Sequence, residues 1–217
     1  MGLYSSESCT KDSLLAGTND NYASKGITIL SGAGVLARGT VLGKITKAAG
    51  EAVKGAGNTG TATIGAVTLL AGAKVGTYKL ACISVANHVG TFSVIDPDGY
   101  RLADAVQGVA YADDIAFTIA VVGAGTDTVV GDTFTIPVAA GSGKYKIVNS
   151  ASVDGSQDAV GILCEDINAT SADVVTAAYI RGEFNERELT FGGTDTADTH
   201  RAALEARGII LRGSVPA

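Results

Sequence analysis

Apolar residues in this chain arrive in short β-branched runs, most of them closed by glycine, asparagine or aspartate. Ala159-Val-Gly-Ile-Leu163 and Val174-Val-Thr-Ala-Ala-Tyr-Ile180 are two such runs, parted by the turn cluster Asp166-Ile-Asn-Ala-Thr-Ser-Ala-Asp173. Runs this short, bounded this way, are strands rather than buried helices. Composition agrees: 29 glycines, 6% aromatics and no Trp in 217 residues describe many short strands on tight turns. A chain of this length can bury one good core or two small ones.

Local rules converge most closely at Arg181-Gly-Glu-Phe-Asn-Glu-Arg-Glu-Leu-Thr-Phe191. Gly182 is expected to break the preceding strand, and Asn185 to cap a short helix with Glu188 at its third position. Phe184 and Leu189 then stand where a hydrophobic staple belongs. Gly192-Gly-Thr-Asp195 follows as a loop. Thr196 or Asp195 caps a second helix through Arg207, with Gly208 as its stop and Leu204 touching Ile209.

Residues 1–24 are rich in Ser, Thr, Asn, Asp and Lys, with Leu3, Tyr4, Leu14, Leu15 and Tyr22 as scattered apolar points. Alone, such a segment buries too little to offset its ordering entropy. It is either a loose tail or an arm that orders on a partner, and the arm is the expectation adopted. Lys25–Ile45 is expected as a hairpin, Ile27–Leu30 against Val35–Ile45. Gly32-x-Gly34-x-x-Ala37 matches a dinucleotide fingerprint in form only, because Arg38-Gly-Thr-Val41 is a poor helix interior.

From Ala48 to about Gly65 the composition is that of a linker. Strand signals then recur at Ala66–Leu70, Thr77–Ile83, Gly90–Ile95, Ala116–Val122 and Thr133–Val138, between turns such as Asp96-Pro-Asp-Gly99 and Gly123–Asp127. That cadence suggests a small antiparallel β-sandwich. Ala139-Ala-Gly-Ser-Gly143 closes it as a second joint. The expected organisation is an arm (1–24), a split domain (25–56 and 144–217) and an inserted sandwich (57–143) pointing outward. Across the insert, Gly43–Lys47 hands over to Lys144–Val148 as a neighbouring strand.

Several function classes are disfavoured. A net charge of −6 without a basic stripe argues against nucleic-acid binding. Cys9, Cys82 and Cys164 are odd in number and far apart, which fits reduced thiols in a cytoplasm better than zinc or disulfides. No signal peptide and no membrane-length apolar run is seen. His88 and His200 lie in no nucleophile motif and are expected at the surface, so no enzyme is expected. Asp96-Pro-Asp-Gly99, Asp113-Asp114 and Asp127 fall short of an EF-hand ligand set and are taken as turns; no metal or cofactor is expected.

The order Gly39-Thr-Val-Leu-Gly-Lys-Ile45, Asp154-Gly-Ser-Gln-Asp-Ala-Val-Gly-Ile-Leu163, Gly182-Glu-Phe-Asn185 and Leu189-Thr-Phe191 resembles the phage lambda-type head decoration proteins. The likeness covers about 26–47 and 144–211. It implies a mainly β (α+β) fold of the β-tulip type, with Gly182, Glu183, Phe184, Asn185, Leu189 and Phe191 in the structural core of the family motif. It implies a homotrimer at three-fold and quasi-three-fold sites on the outside of an expanded capsid, stabilising the virion against DNA pressure. The major capsid protein would be the partner, with Leu14, Leu15, Tyr22 and Ile27 of the arm filling its pockets. The insert is the departure from the short family members. The alternative is a surface- or glycan-binding adhesion module displayed on a virion, using 57–143.

Overall fold

The computed structural model describes residues 12–16, 21–121 and 126–213. The expectations for Leu3, Tyr4, Cys9, Val122 and Gly123-Ala-Gly125 lie outside the described residues. The chain is mainly β and divides into two compact units. One runs up to Lys44 and takes in Lys144–Ser152 and Ser156 onward; the other holds Ile45–Gly143 and Val153–Gly155. The first unit opens with β1 (Ala23–Ile29), β2 (Gly34–Leu36) and β3 (Val41–Lys44).

The second unit contains β4 (Lys47–Ala49), β5 (Val53–Lys54), β6 (Thr68–Leu69), β7 (Gly76–Ala86), β8 (Val89–Ile95), β9 (Ala105–Val106), β10 (Ala110–Ala112), β11 (Ile115–Thr118) and β12 (Thr133–Ala140). One antiparallel sheet runs β4-β12-β7-β8-β9 with β5 also on β12, and another runs β10-β11-β6. Alternate residues of β7, β8 and β12 turn inward: Tyr78, Leu80 and Cys82, then Phe92 and Val94, then Phe134, Ile136 and Val138. Leu69, Tyr111, Ile115, Phe117 and Ile119 complete the same core. Residues 45–56, expected in the split domain, therefore belong here. The glycine- and alanine-rich stretch taken for a linker supplies β4 and β5 as edge strands on β12. Small side chains carried no packing signal, but main-chain pairing does not need one.

The first unit resumes with β13 (Tyr145–Ile147), β14 (Ala159–Leu163), β15 (Ile167–Ala169), β16 (Val174–Asn185), helix α1 (Ala197–Glu205) and β17 (Ile209–Arg212). Pairings β1-β13-β3-β14-β16, with β16 returning to β1, close five strands into a barrel, and β17 extends β16 in parallel. Closure removes the sheet edges that an open sheet leaves exposed. Successive residues of β3 and β14 face opposite sides of the wall. Leu42 and Leu163 join Ile27, Ile29 and Ala178 in one cluster. Val41 and Ile162 join Leu204 of α1, Ile209, Leu211 and Phe184 in the other. Gly43 sits where β3 meets the chain at Ser156; a Cβ there would lie 2.0 Å from the Ser156 carbonyl oxygen, so no larger residue fits.

Some expectations are corrected. β1 does not form a hairpin with the following strands, because its partners are β16 and β13; β2 pairs with β15 instead. β13 does lie antiparallel to β3, Lys146 opposite Gly43. No helix follows Gly32 and Gly34, whose positive φ values of 88° and 80° make a turn into β2. The second helix ends at Glu205 rather than Arg207. Arg207 N donates to Leu204 O at 2.9 Å and Gly208 N to Glu205 O at 2.9 Å, so tight i→i+3 bonds finish it in place of the wider Schellman pattern.

Candidate functional site

β16 does not break at Gly182. It continues to Asn185, because the glycine adopts φ +142° and the strand is re-aimed rather than stopped. A Cβ at Gly182 would lie 2.2 Å from Tyr22 Cδ1, so the position is closed to any side chain in both conformation and space. Asn185 then caps a single 3₁₀ turn, Glu186–Glu188, its Oδ1 accepting from Arg187 N at 3.2 Å. The expected α-helix is thus one turn long, since Leu189 is already extended.

The motif residues form the wall of a strand-binding slot. On one side of Gly182–Asn185 runs β17; on the other lies Asp12–Ala16. Leu15 pairs antiparallel with Phe184. Ala16 N donates to Glu183 O at 2.9 Å and Asn185 N to Leu14 O at 2.9 Å. Asn185 Nδ2 donates to Ser13 O at 3.1 Å, fixing the register from the side. At the far end Arg38 holds Asp12 with two parallel bonds, Nη1 to Oδ1 at 2.9 Å and Nη2 to Oδ2 at 2.5 Å. The guanidinium holds the Asp12 carboxyl below its usual range. Arg38 is itself positioned by Cys164 O, to which its Nε donates at 3.1 Å.

The four side chains expected to fill capsid pockets are placed inside this chain. Leu14 is 2% exposed in the cluster with Phe184 and Leu211, and Leu15 packs beside it. Tyr22 meets Phe184 edge-on at 5.6 Å and donates its hydroxyl to Glu183 O at 2.9 Å. Ile27 is 5% exposed in the other cluster, with Ile29 and Leu42. Their spacing looked like an arm because the segment has no periodicity of its own; its apolar points answer to β16, far away in sequence.

This docking is marginal in energy. Ordering five residues costs roughly 5–10 kcal/mol. Burying Leu14 contributes about 2 kcal/mol, and three hydrogen bonds roughly 1 kcal/mol each. The partly exposed Asp12–Arg38 pair adds at most about 1 kcal/mol. The two sides come within a few kcal/mol of each other.

Of the remaining motif residues, Glu183 pairs with Arg212 (Oε2 to Nε, 3.1 Å), and Leu189 and Phe191 pack partly buried on the Phe184 cluster. His200, expected at the surface, is buried. Its Nε2 meets Asp195 Oδ2 at 2.8 Å, and Asp195 also accepts from Ser150 N at 2.6 Å and Ser150 Oγ at 2.5 Å. Serine bonds the aspartate and not the histidine, so this is a brace between α1 and the Ser150 loop rather than a nucleophile–base pair. In the second unit the acidic turn holds a lysine: Lys74 Nζ bonds Asp96 Oδ2 at 2.6 Å and Asp98 Oδ2 at 2.7 Å. Among the described residues, no group of three or more His, Cys, Asp or Glu is placed to hold a metal, and no helix is long and apolar enough to cross a membrane.

A closed barrel braced by one helix, with a strand slot on its wall, defines the first unit as a mainly β fold. The chain belongs to the bacteriophage lambda head decoration protein D family, whose model matches residues 83–209. That match takes in 144–209 of the resemblance read from sequence, but starts at Ile83 in the second unit rather than at residue 26. The family is structural rather than catalytic. No curated protein matches the chain. Two solved structures of Xanthomonas campestris FlgL align at 17% and 18% identity, over 48% and 47% of this chain and 33% and 31% of theirs. Their TM-scores are 0.33 and 0.32, too low to bear on the fold. The chain spans about a third of FlgL's length.

Proposed function

We propose that this phage head decoration protein binds the outer surface of the expanded head at three-fold and quasi-three-fold positions, as a homotrimer on the major capsid protein. The observation that carries this is the family match over residues 83–209. A ligand that binds only the expanded lattice stabilises that state by mass action, and many copies act together by multivalent contact. Packaged DNA loads the junctions between capsid subunits, so occupancy there raises the pressure a shell withstands. The capsid-binding arm is then residues 1–11, since Leu14, Tyr22 and Ile27 pack on the decoration fold itself. The unit at 45–143 is an insertion in the decoration domain.

Co-sedimentation with purified expanded and unexpanded shells tests this. The full chain pellets with expanded shells only, and a chain lacking 1–11 stays folded but loses most of that binding. Equal binding to both shell forms contradicts the stabilisation mechanism. A second reading, host-surface or glycan contact by the second unit, has the exposed ring of Tyr100 in its favour, 70% accessible with Lys74 Nζ 5.5 Å from its centroid. Glycan binding that disappears in Tyr100→Ala supports it; no glycan bound by the full chain removes it.

A further inference from the structure

We infer that the slot along Gly182–Asn185 is a strand-acceptor site for residues Asp12–Ala16 of a second copy, so that adjacent molecules exchange N-terminal strands. This rests on the reading that copies sit side by side on a shell. The slot has selectivity of its own. Main-chain bonds from Ala16 and to Leu14 are indifferent to sequence. Arg38 demands a carboxylate two residues before the buried leucine, and Asn185 Nδ2 fixes the register between them. The recognised pattern is Asp-Ser-Leu, which every copy carries in the segment that fills the slot.

Three features make the occupant exchangeable. β17 already pairs the other side of Gly182–Asn185, so this is the one remaining position for a strand there, and a bare edge seeks a replacement. Leu15 faces Phe184 while Ala23 faces Arg181, eight positions against three, so the segment and β1 do not pair in one continuous register. The segment can leave its slot without unpairing the barrel. And its docking is nearly balanced by its ordering entropy, as the contacts above establish. The same contacts form in cis or in trans, so the outcome depends on the local concentration of neighbouring slots. Released, the ten residues 12–21 reach about 33 Å when extended.

Cysteines at two facing positions report which copy supplies the strand. The register that sets Leu15 against Phe184 sets Ala16 against Glu183, within disulfide reach for an antiparallel pair. The full chain carrying Ala16→Cys and Glu183→Cys, with Cys9→Ser to avoid a competing thiol, is oxidised in dilute solution and after coating expanded shells. Exchange predicts intrachain bonds in solution and a ladder of covalent multimers on shells, in more than half of the molecules. Shells coated as fully as by the unaltered chain but yielding only intrachain bonds overturn the exchange and leave the decoration reading intact. A chain that coats no shells, with the unaltered chain failing equally, overturns both. Should the variant not fold, Asp12→Arg and Arg38→Glu chains serve. Each alone sets like charges in its own slot, and shells coated with an equal mixture should regain at least tenfold protection of the Ala16 amide over either alone. No gain overturns the inference.

Discussion

Phe191 lies flat against His200, ring centroids 5.7 Å apart and planes within 7°. The contact joins the end of the family motif to α1, and it explains why a histidine with no sequence context is buried. His200 is clamped between that ring and Asp195, whose carboxyl is held down to about 2 by the Ser150 hydroxyl first and His200 second.

The sign of the resulting pH dependence follows from that depression. A carboxylate whose folded value lies below its unfolded value of 3.8 stabilises the fold above about pH 4, and that contribution is lost as pH falls through about 2. Asp195→Asn should lower the urea midpoint at pH 6, with the gap to the unaltered chain closing between about pH 4 and 2. A gap that does not change over that window would show that the brace is not electrostatic.

Gly182→Ala should be among the costlier single-atom additions. The backbone is at +142° and the new methyl would meet Tyr22, so a loss of about 2–3 kcal/mol is expected from strain and displaced packing. Urea denaturation measures it. Gly26→Ala, at a β1 position with nothing within 4 Å, serves as the control and should cost less than about 1 kcal/mol.

Phe184 and Leu14 touch the same cluster but should respond differently to truncation. Phe184→Ala removes a fully buried ring from the barrel wall and should cost about 3–5 kcal/mol of global stability. Leu14→Ala can only undock a marginally held segment, so its global cost is capped near about 1–2 kcal/mol. Hydrogen exchange at the Ala16 and Asn185 amides should speed up at least tenfold in Leu14→Ala while barrel amides are unchanged. Global unfolding on loss of Leu14 would mean the strand is integral to the barrel.

The acidic turn of the second unit should be indifferent to calcium. Lys74 already supplies the cation between Asp96 and Asp98, and Asp96 Oδ1 is taken by Tyr100 N at 2.7 Å. Millimolar calcium should leave the melting temperature unmoved. An upward shift of several degrees would reveal ligands that the turn lacks in this geometry.

What was legible in the sequence follows from how local each signal is. The runs 159–163 and 174–180 and the caps at Asn185 and Thr196 were readable because each is decided by a few adjacent residues, and the neighbouring of Lys146 with Gly43 because the chain enters and leaves the inserted unit there. β4 and β5 were not, because Lys-Ala-Ala and Val-Lys are too short to show an alternating side-chain pattern, and it is main-chain pairing to β12 that makes them strands. His200 and Leu14 were not readable in this way: His200 is buried by stacking on Phe191 and bonding Asp195, which the distant Ser150 holds, and Leu14 by the cluster of Phe184 and Leu211, far away in sequence. Extension of β16 past Gly182 was likewise invisible, since glycine marks a stop and a re-aimed strand alike.

Electron cryo-microscopy of expanded heads mixed with the full chain tests the central claim most directly. The account predicts added density on the outside of the shell at three-fold and quasi-three-fold positions, in three copies per site, and none on unexpanded shells. Heads that remain bare, or protein scattered over the surface without regard to the symmetry axes, would contradict it.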